Sequence, residues 1–158
     1  MKRLTLLAIG LIPLPLGYIL RYLIMTIYRD RALPAGIIGV AFLLLWFCLG
    51  LLTKHMTDSD KEAMVTVHAF AFLDLLLVLF QEHILRRYWL NIIGALSQFF
   101  FLPLINIASR LTFFAYRLSW TYITAFALMY VVFYLGRSVG KPAYQATTPQ
   151  SKLEGRNR

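Results

Sequence analysis

Between short clusters of charge, this chain holds five apolar stretches of 19 to 25 residues, with Arg21 and Asp74 as the charged interruptions well inside them. A helix needs about 20 apolar residues to cross the hydrocarbon core of a bilayer, so each stretch has the length of a membrane-crossing helix. The pattern predicts an all-α, polytopic membrane helix bundle. Composition agrees: 59% of the 158 residues are hydrophobic, mean hydropathy is +0.67, and only 15% are charged, against about 25% in soluble domains. That balance excludes a water-soluble enzyme, a disordered chain and a disulfide scaffold. Cys48 is the one cysteine, so no intrachain disulfide can form.

The expected helices are 4–28, 32–53, 60–84, 88–109 and 118–136, forming a bundle domain over 1–136, followed by a basic disordered tail over 137–158. Pro13 and Pro15 interrupt the first stretch, which therefore kinks or fails to span. A secretory signal peptide does not fit, because the run is too long and lacks a small-x-small cleavage site. Pro34 suits a first helical turn, where a missing N–H costs nothing. Ser59 and Glu62 have the spacing of a capping box, placing the third helix start near Asp60. Tyr28, Tyr88, Trp89, Tyr116, Trp120 and Tyr134 fall at the ends of the runs, where aromatic belts form at the headgroup level.

A net charge of +9 would suggest nucleic acid in a soluble protein, but here the basic residues flank the apolar runs. They fit topogenesis and anionic headgroups, with no nucleic-acid partner. Five spans would place nine basic residues on the tail side (Arg29, Arg31, Arg86, Arg87 and five in the tail) against six opposite. A four-span alternative makes the first run re-entrant, keeps both ends inside and improves the balance to twelve against four. Either count favours a cytoplasmic tail, and the short loops fit a plasma-membrane protein. Arg86, Arg87, Arg137 and Lys141 are the expected lipid-headgroup contacts.

Ionisable groups deep in a membrane normally face protein or a watery cavity. Asp74 is such a group, and Gln81 returns to its face seven residues later; Asn91 and Gln98 repeat that spacing in the fourth run. If the third and fourth helices form an antiparallel hairpin about Arg86, Asp74 lies level with Gln98 and Gln81 with Asn91. Gly94 and Ala95 would then let the backbones approach, as small residues do in membrane packing. This seam serves either as structural glue or, with Arg21 reaching toward Asp74, as an intramembrane polar site.

His68 points about 120° away from Asp74 and reads as a helix-packing donor. His55, Asp58, Asp60 and Glu62 do not make a metal site, since capping explains Ser59 and Glu62 and no repeated ligand loop is present. No catalytic residues, metal or cofactor are expected: Asp74 is alone at depth, Ser97 and Ser109 have no placed base, and no phosphate loop or H-E-x-x-H occurs. The leading expectation is a non-enzymatic membrane protein that acts by intramembrane binding, as an accessory or regulatory subunit with a membrane-protein partner. An oligomeric small-solute or ion transporter, and then a lipid-modifying enzyme, are the alternatives.

Overall fold

The computed structural model of the protein describes residues 2–28, 33–57, 59–87, 89, 92–113 and 118–139. Over these the chain is all-helical: α1 (Lys2–Leu11), α2 (Pro13–Thr26), α3 (Ala35–Thr53), α4 (Asp60–Phe80) with a π turn at Gln81–Leu85, α5 (Ile92–Leu111) and α6 (Leu118–Val139). Four rods are long and apolar enough to cross a membrane: Lys2–Thr26, Ala35–Thr53, Asp60–Leu85 and Leu118–Val139. A further apolar helix, shorter over its described stretch, covers Leu96–Leu111. The tail expected over 137–158 starts later than foreseen, since Arg137, Ser138 and Val139 still belong to α6; the residues beyond Val139 lie outside the described residues.

The prolines do not break the first rod. Proline 13 has no N–H for the carbonyl of Ile9, and that acceptor is taken instead by the N–H of Ile12 at 3.1 Å. Pro13 then opens α2 at a position where proline is tolerated. Pro34 sits at the N-cap of α3, one place before the first helical turn expected for it. Ser59 caps α4 as expected, its Oγ accepting the Glu62 N–H at 3.3 Å. The reciprocal half of the capping box is replaced: Glu62 Oε1 pairs with Arg3 Nε at 2.6 Å.

Interhelical contacts fix the direction of every helix. Arg3 meets Glu62, and Gly10 lies against the backbone of Val67, so the first rod and α4 run the same way. At the other end of α4, Glu82 accepts a hydrogen bond from Ser119 in the first turn of α6. Arg137, at the end of α6, returns to Asp60 at the start of α4. Therefore α4 and α6 are antiparallel, and α1 begins on the side where α6 ends.

The surprise is α5. Its Phe99 backbone lies against Gly17, near the middle of the first rod. Farther along, Asn106 and Ser109 share a cavity wall with Ile24 and Leu33, and Thr112 Oγ1 sits 3.5 Å from Thr121 Oγ1. Both α4 and α5 thus end beside the first turns of α6, and they run in the same sense. The expected antiparallel hairpin of the third and fourth helices is not formed. Among the described residues four helices, the first rod included, are long and apolar enough to span, and α5 is a shorter apolar helix over its described stretch.

Local chemistry explains this reversal. Arg86 adopts a left-handed conformation, φ 53°, and the backbone N–H groups of Arg86 and Arg87 both donate to the carbonyl of Gln81. The Gln81 side chain, fully buried, then accepts the N–H of Trp89 at 2.9 Å. One residue thus ties the chain back against the helix it has just left. Pro103 inside α5 leaves the Phe99 carbonyl without its i+4 donor, and it is this carbonyl that lies against Gly17, where only a residue without a side chain allows so close an approach.

The core brings together Trp46, Met64, Val67, Phe101, Met129 and Phe133, all buried, while Ile37, Val65, Leu73 and Val131 face outward. In α3 and α6 the closest crossing is Gly50 against Gly136, each with the other helix's backbone where a Cβ would stand. Substituting Gly136 by leucine forces these helices apart. The expected outcome is a lower thermal unfolding temperature in detergent and a loss of monodisperse protein on size exclusion, whereas Gly36→Ala, which meets open space, should leave both unchanged.

Candidate functional site

Two groups of polar residues lie at opposite ends of α4. Toward its end, α4 presents Asp74, Gln81 and Glu82 to the first turns of α6. Tyr122, buried, is within electrostatic range of both Asp74 and Glu82. Glu82 Oε1 accepts from Ser119 Oγ at 3.3 Å. Asp74 Oδ2 and Gln81 Nε2 are both buried, and neither has a hydrogen-bond partner among the described residues. The site therefore offers a carboxyl acceptor and an amide donor seven residues apart on α4, about 10 Å of helix rise. Buried polar groups are normally paired, and an unpaired one costs about 1–3 kcal/mol.

The sequence-derived candidates distribute as follows. Asp74 and Gln81 share this site. Gln98 is half-buried on α5 and makes no hydrogen bond to Asp74 among the described residues; the face of α4 that carries the acid meets Tyr122 of α6 instead. Asn91 lies outside the described residues. Arg21 is not at Asp74. It is exposed on α2, with its guanidinium 4.8 Å above the ring of Phe99, because α2 packs along α5 while α1 packs along α4. Gly94 abuts the carbonyl of Trp89 rather than α4, since the turn folds onto it. Tyr122 and the Glu82–Ser119 contact were not anticipated; the 3–4 spacing of Ser119, Tyr122 and Ala125 on an otherwise apolar helix was the available signal.

The second polar centre corrects the lipid-headgroup expectation. Arg137 is 1% exposed. Its Nε and Nη2 bind Asp60 Oδ1 at 3.0 and 2.9 Å, Nη2 also donates to the Thr57 carbonyl, and Nη1 reaches Thr53 Oγ1 at 3.4 Å. It is a lock joining the end of α3, the start of α4 and the end of α6, unavailable to phosphate. Arg86 and Arg87 are exposed and fit the headgroup reading, but they stand at the opposite end of α4 from Arg137. Lys141 is outside the described residues. Among the described residues, Arg137 therefore shares no surface patch with Arg86 and Arg87.

His68 is buried as a packing residue. Its Nδ1 lies 3.0 Å from the Met64 carbonyl, and four rings surround it: Trp46, Phe126, Tyr130 and Phe133 at 5.1–6.1 Å. Among the described residues no group of three metal-ligating side chains converges. Comparison with protein-family models, with curated proteins and with solved structures returns no match, so function is argued from these residues alone.

Two outcomes test this geometry. Asp60→Asn leaves the buried guanidinium without its counter-charge and should lower stability by about 2–3 kcal/mol, less than a fully enclosed pair because Asp60 is partly exposed; replacing both Asp60 and Arg137 by apolar residues should recover most of that loss in the same chemical-denaturation measurement. Gln81→Leu removes the acceptor of the Trp89 N–H and should cost about 1–3 kcal/mol, read as a shift of the same unfolding midpoint.

Proposed function

We propose that the protein is a small integral membrane protein that works by binding within the bilayer, as an accessory or regulatory subunit docked on a membrane partner through the Asp74 site. The observation that carries this reading is the enclosed Asp74 Oδ2 with no donor among the described residues, on the same face of α4 as the unpartnered Gln81 amide nitrogen. A carboxyl held in that state stabilises whatever brings it a hydrogen-bond donor or a cation. The connections between helices are short, which leaves the membrane-embedded faces as the recognition surface.

Orientation follows from counting basic residues on the topology described above. Lys2, Arg3, Lys54, Lys61 and the five of the tail, nine in all, fall on the side of α1's start; Arg29, Arg31, Arg86, Arg87, Arg110 and Arg117, six in all, fall on the other. The positive-inside rule then supports a cytoplasmic tail and amino terminus, in a plasma membrane. Transport by a homo-oligomer is the second reading, supported by the same acid: a lone carboxylate at depth is a common element of ion and proton pathways.

Purification from native membranes in mild detergent separates these. The binding reading expects a membrane protein to co-purify with wild type and to be lost with Asp74→Asn while the variant keeps its own unfolding temperature. A wild-type protein that purifies alone as a defined oligomer, and in liposomes moves a solute or protons in an Asp74-dependent way, would overturn it in favour of transport.

A further inference from the structure

Arg21 carries a charge inside the first rod that no acid answers among the described residues. It is exposed on α2 and makes neither an ion pair nor a hydrogen bond there, while Glu62 is held by Arg3, Asp60 by Arg137, and Glu82 accepts from Ser119. The guanidinium carbon lies instead 4.8 Å from the centre of the Phe99 ring. A cation–π contact steadies the group but leaves most of its five N–H donors free. The side chain is thus held at the surface of the bundle as a planar fork of donors, the shape that binds a phosphate or a carboxylate through two bonds.

Depth decides which anion is within reach. Arg21 stands seven residues past Leu14, the midpoint of the rod Lys2–Thr26, or about 10 Å of helix rise from the middle of the bilayer. In a hydrocarbon core about 30 Å thick this is about 5 Å inside the boundary, a distance that an arginine side chain spans. Tyr18, Tyr22 and Met25 are exposed with it and share an arc of about 100° on an ideal helix, and Tyr18 meets Phe99 edge-on with ring centres 6.4 Å apart. One lipid-facing strip therefore offers a guanidinium and two phenols at interfacial depth. A phospholipid brings its phosphate to that boundary by itself, whereas a carboxylate on a partner's helix would have to be taken out of water to get there.

We propose that the strip of α2 at Tyr18, Arg21 and Tyr22 is a phospholipid-binding site, in which Arg21 donates to the headgroup phosphate while Phe99 holds the guanidinium in place. The group recognised is the phosphodiester, whatever the net charge of the headgroup. That separates this site from the general attraction of Arg86 and Arg87 to anionic surfaces. The proposal goes beyond the Asp74 reading and uses no residue of that site.

The test mixes the full-length protein in mild detergent with equal amounts of phosphatidylcholine and a galactosyl diacylglycerol of the same acyl chains, and counts the retained lipid by native mass spectrometry. Phosphatidylcholine has no net charge, so the +9 of the chain does not by itself favour it. Wild type is expected to retain phosphatidylcholine in roughly tenfold preference to the glycolipid, and Arg21→Gln to lose that preference. Arg21→Lys, which keeps the charge without the planar fork, and Phe99→Leu, which removes the ring against it, should each weaken the preference by roughly threefold. Lys61→Gln, at the other end of the bundle, should leave it unchanged, and unfolding temperatures show which variants are folded; Arg21→Lys carries the comparison alone where Phe99→Leu does not fold. No preference in wild type, a preference that survives Arg21→Gln, or full preference in Arg21→Lys or in folded Phe99→Leu would overturn the proposal. So would a membrane protein that co-purifies with wild type and is lost with Arg21→Gln, the result expected of a partner's carboxylate. Asp74→Asn should not alter lipid retention, so the two readings fail separately.

Discussion

The architecture hangs on the turn after α4, where the Gln81 side chain holds the N–H of Trp89. In a medium without water, a backbone donor leaving a helix must find an acceptor within the protein. Gln81 supplies it from the helix just completed, and the left-handed Arg86 lets the chain reverse within a few residues. Whatever follows is delivered back toward the bundle. Because α5 then runs out on the side where α4 ended, α6 starts beside Glu82 and finishes beside Asp60. With an antiparallel crossing, α5 would have faced the acid with Gln98 and Tyr122 would have lain elsewhere.

Two polar centres stabilise this arrangement by different means. At the Arg137 end, every strong interaction is complete: one guanidinium satisfies a carboxylate, a carbonyl and a hydroxyl from two connected segments. Such a buried, multiply bonded cation contributes chiefly by fixing one arrangement of helices, since its desolvation offsets much of its Coulomb attraction. At the Asp74 end, Glu82 and the Gln81 side-chain carbonyl oxygen are hydrogen-bonded, whereas Asp74 Oδ2 and Gln81 Nε2 are enclosed without a partner among the described residues.

Much of the fold was legible in the sequence because run length and charge position report directly on what lipid tolerates. The end of α3 at Thr53, the Ser59 cap and the polar character of Asp74 follow from local chemistry. The direction of α5 did not. Residues 88–109 are uncharged and long enough to span, and hydropathy carries no sign that tells a crossing from a return; the deciding interaction is one side chain reaching eight residues along the chain. Arg137 was misassigned for a related reason. A basic residue in the last turn of an apolar helix normally snorkels to headgroups, and only the convergence of Thr53, Thr57 and Asp60 from another part of the chain turns it inward. Arg21 likewise lies on the segment that packs with Phe99, a partner choice set by where α1 gives way to α2.

The same-sense course of α4 and α5 is tested most directly by single-cysteine accessibility. With Cys48 replaced by serine, cysteines are placed singly at Arg87, before α5, and at Phe113, after it, both exposed, in sealed oriented vesicles treated with a membrane-impermeant maleimide. The account predicts that both are modified from the same face of the membrane. Modification of the two from opposite faces would mean that α5 crosses, and would contradict the topology from which the Asp74 site is built.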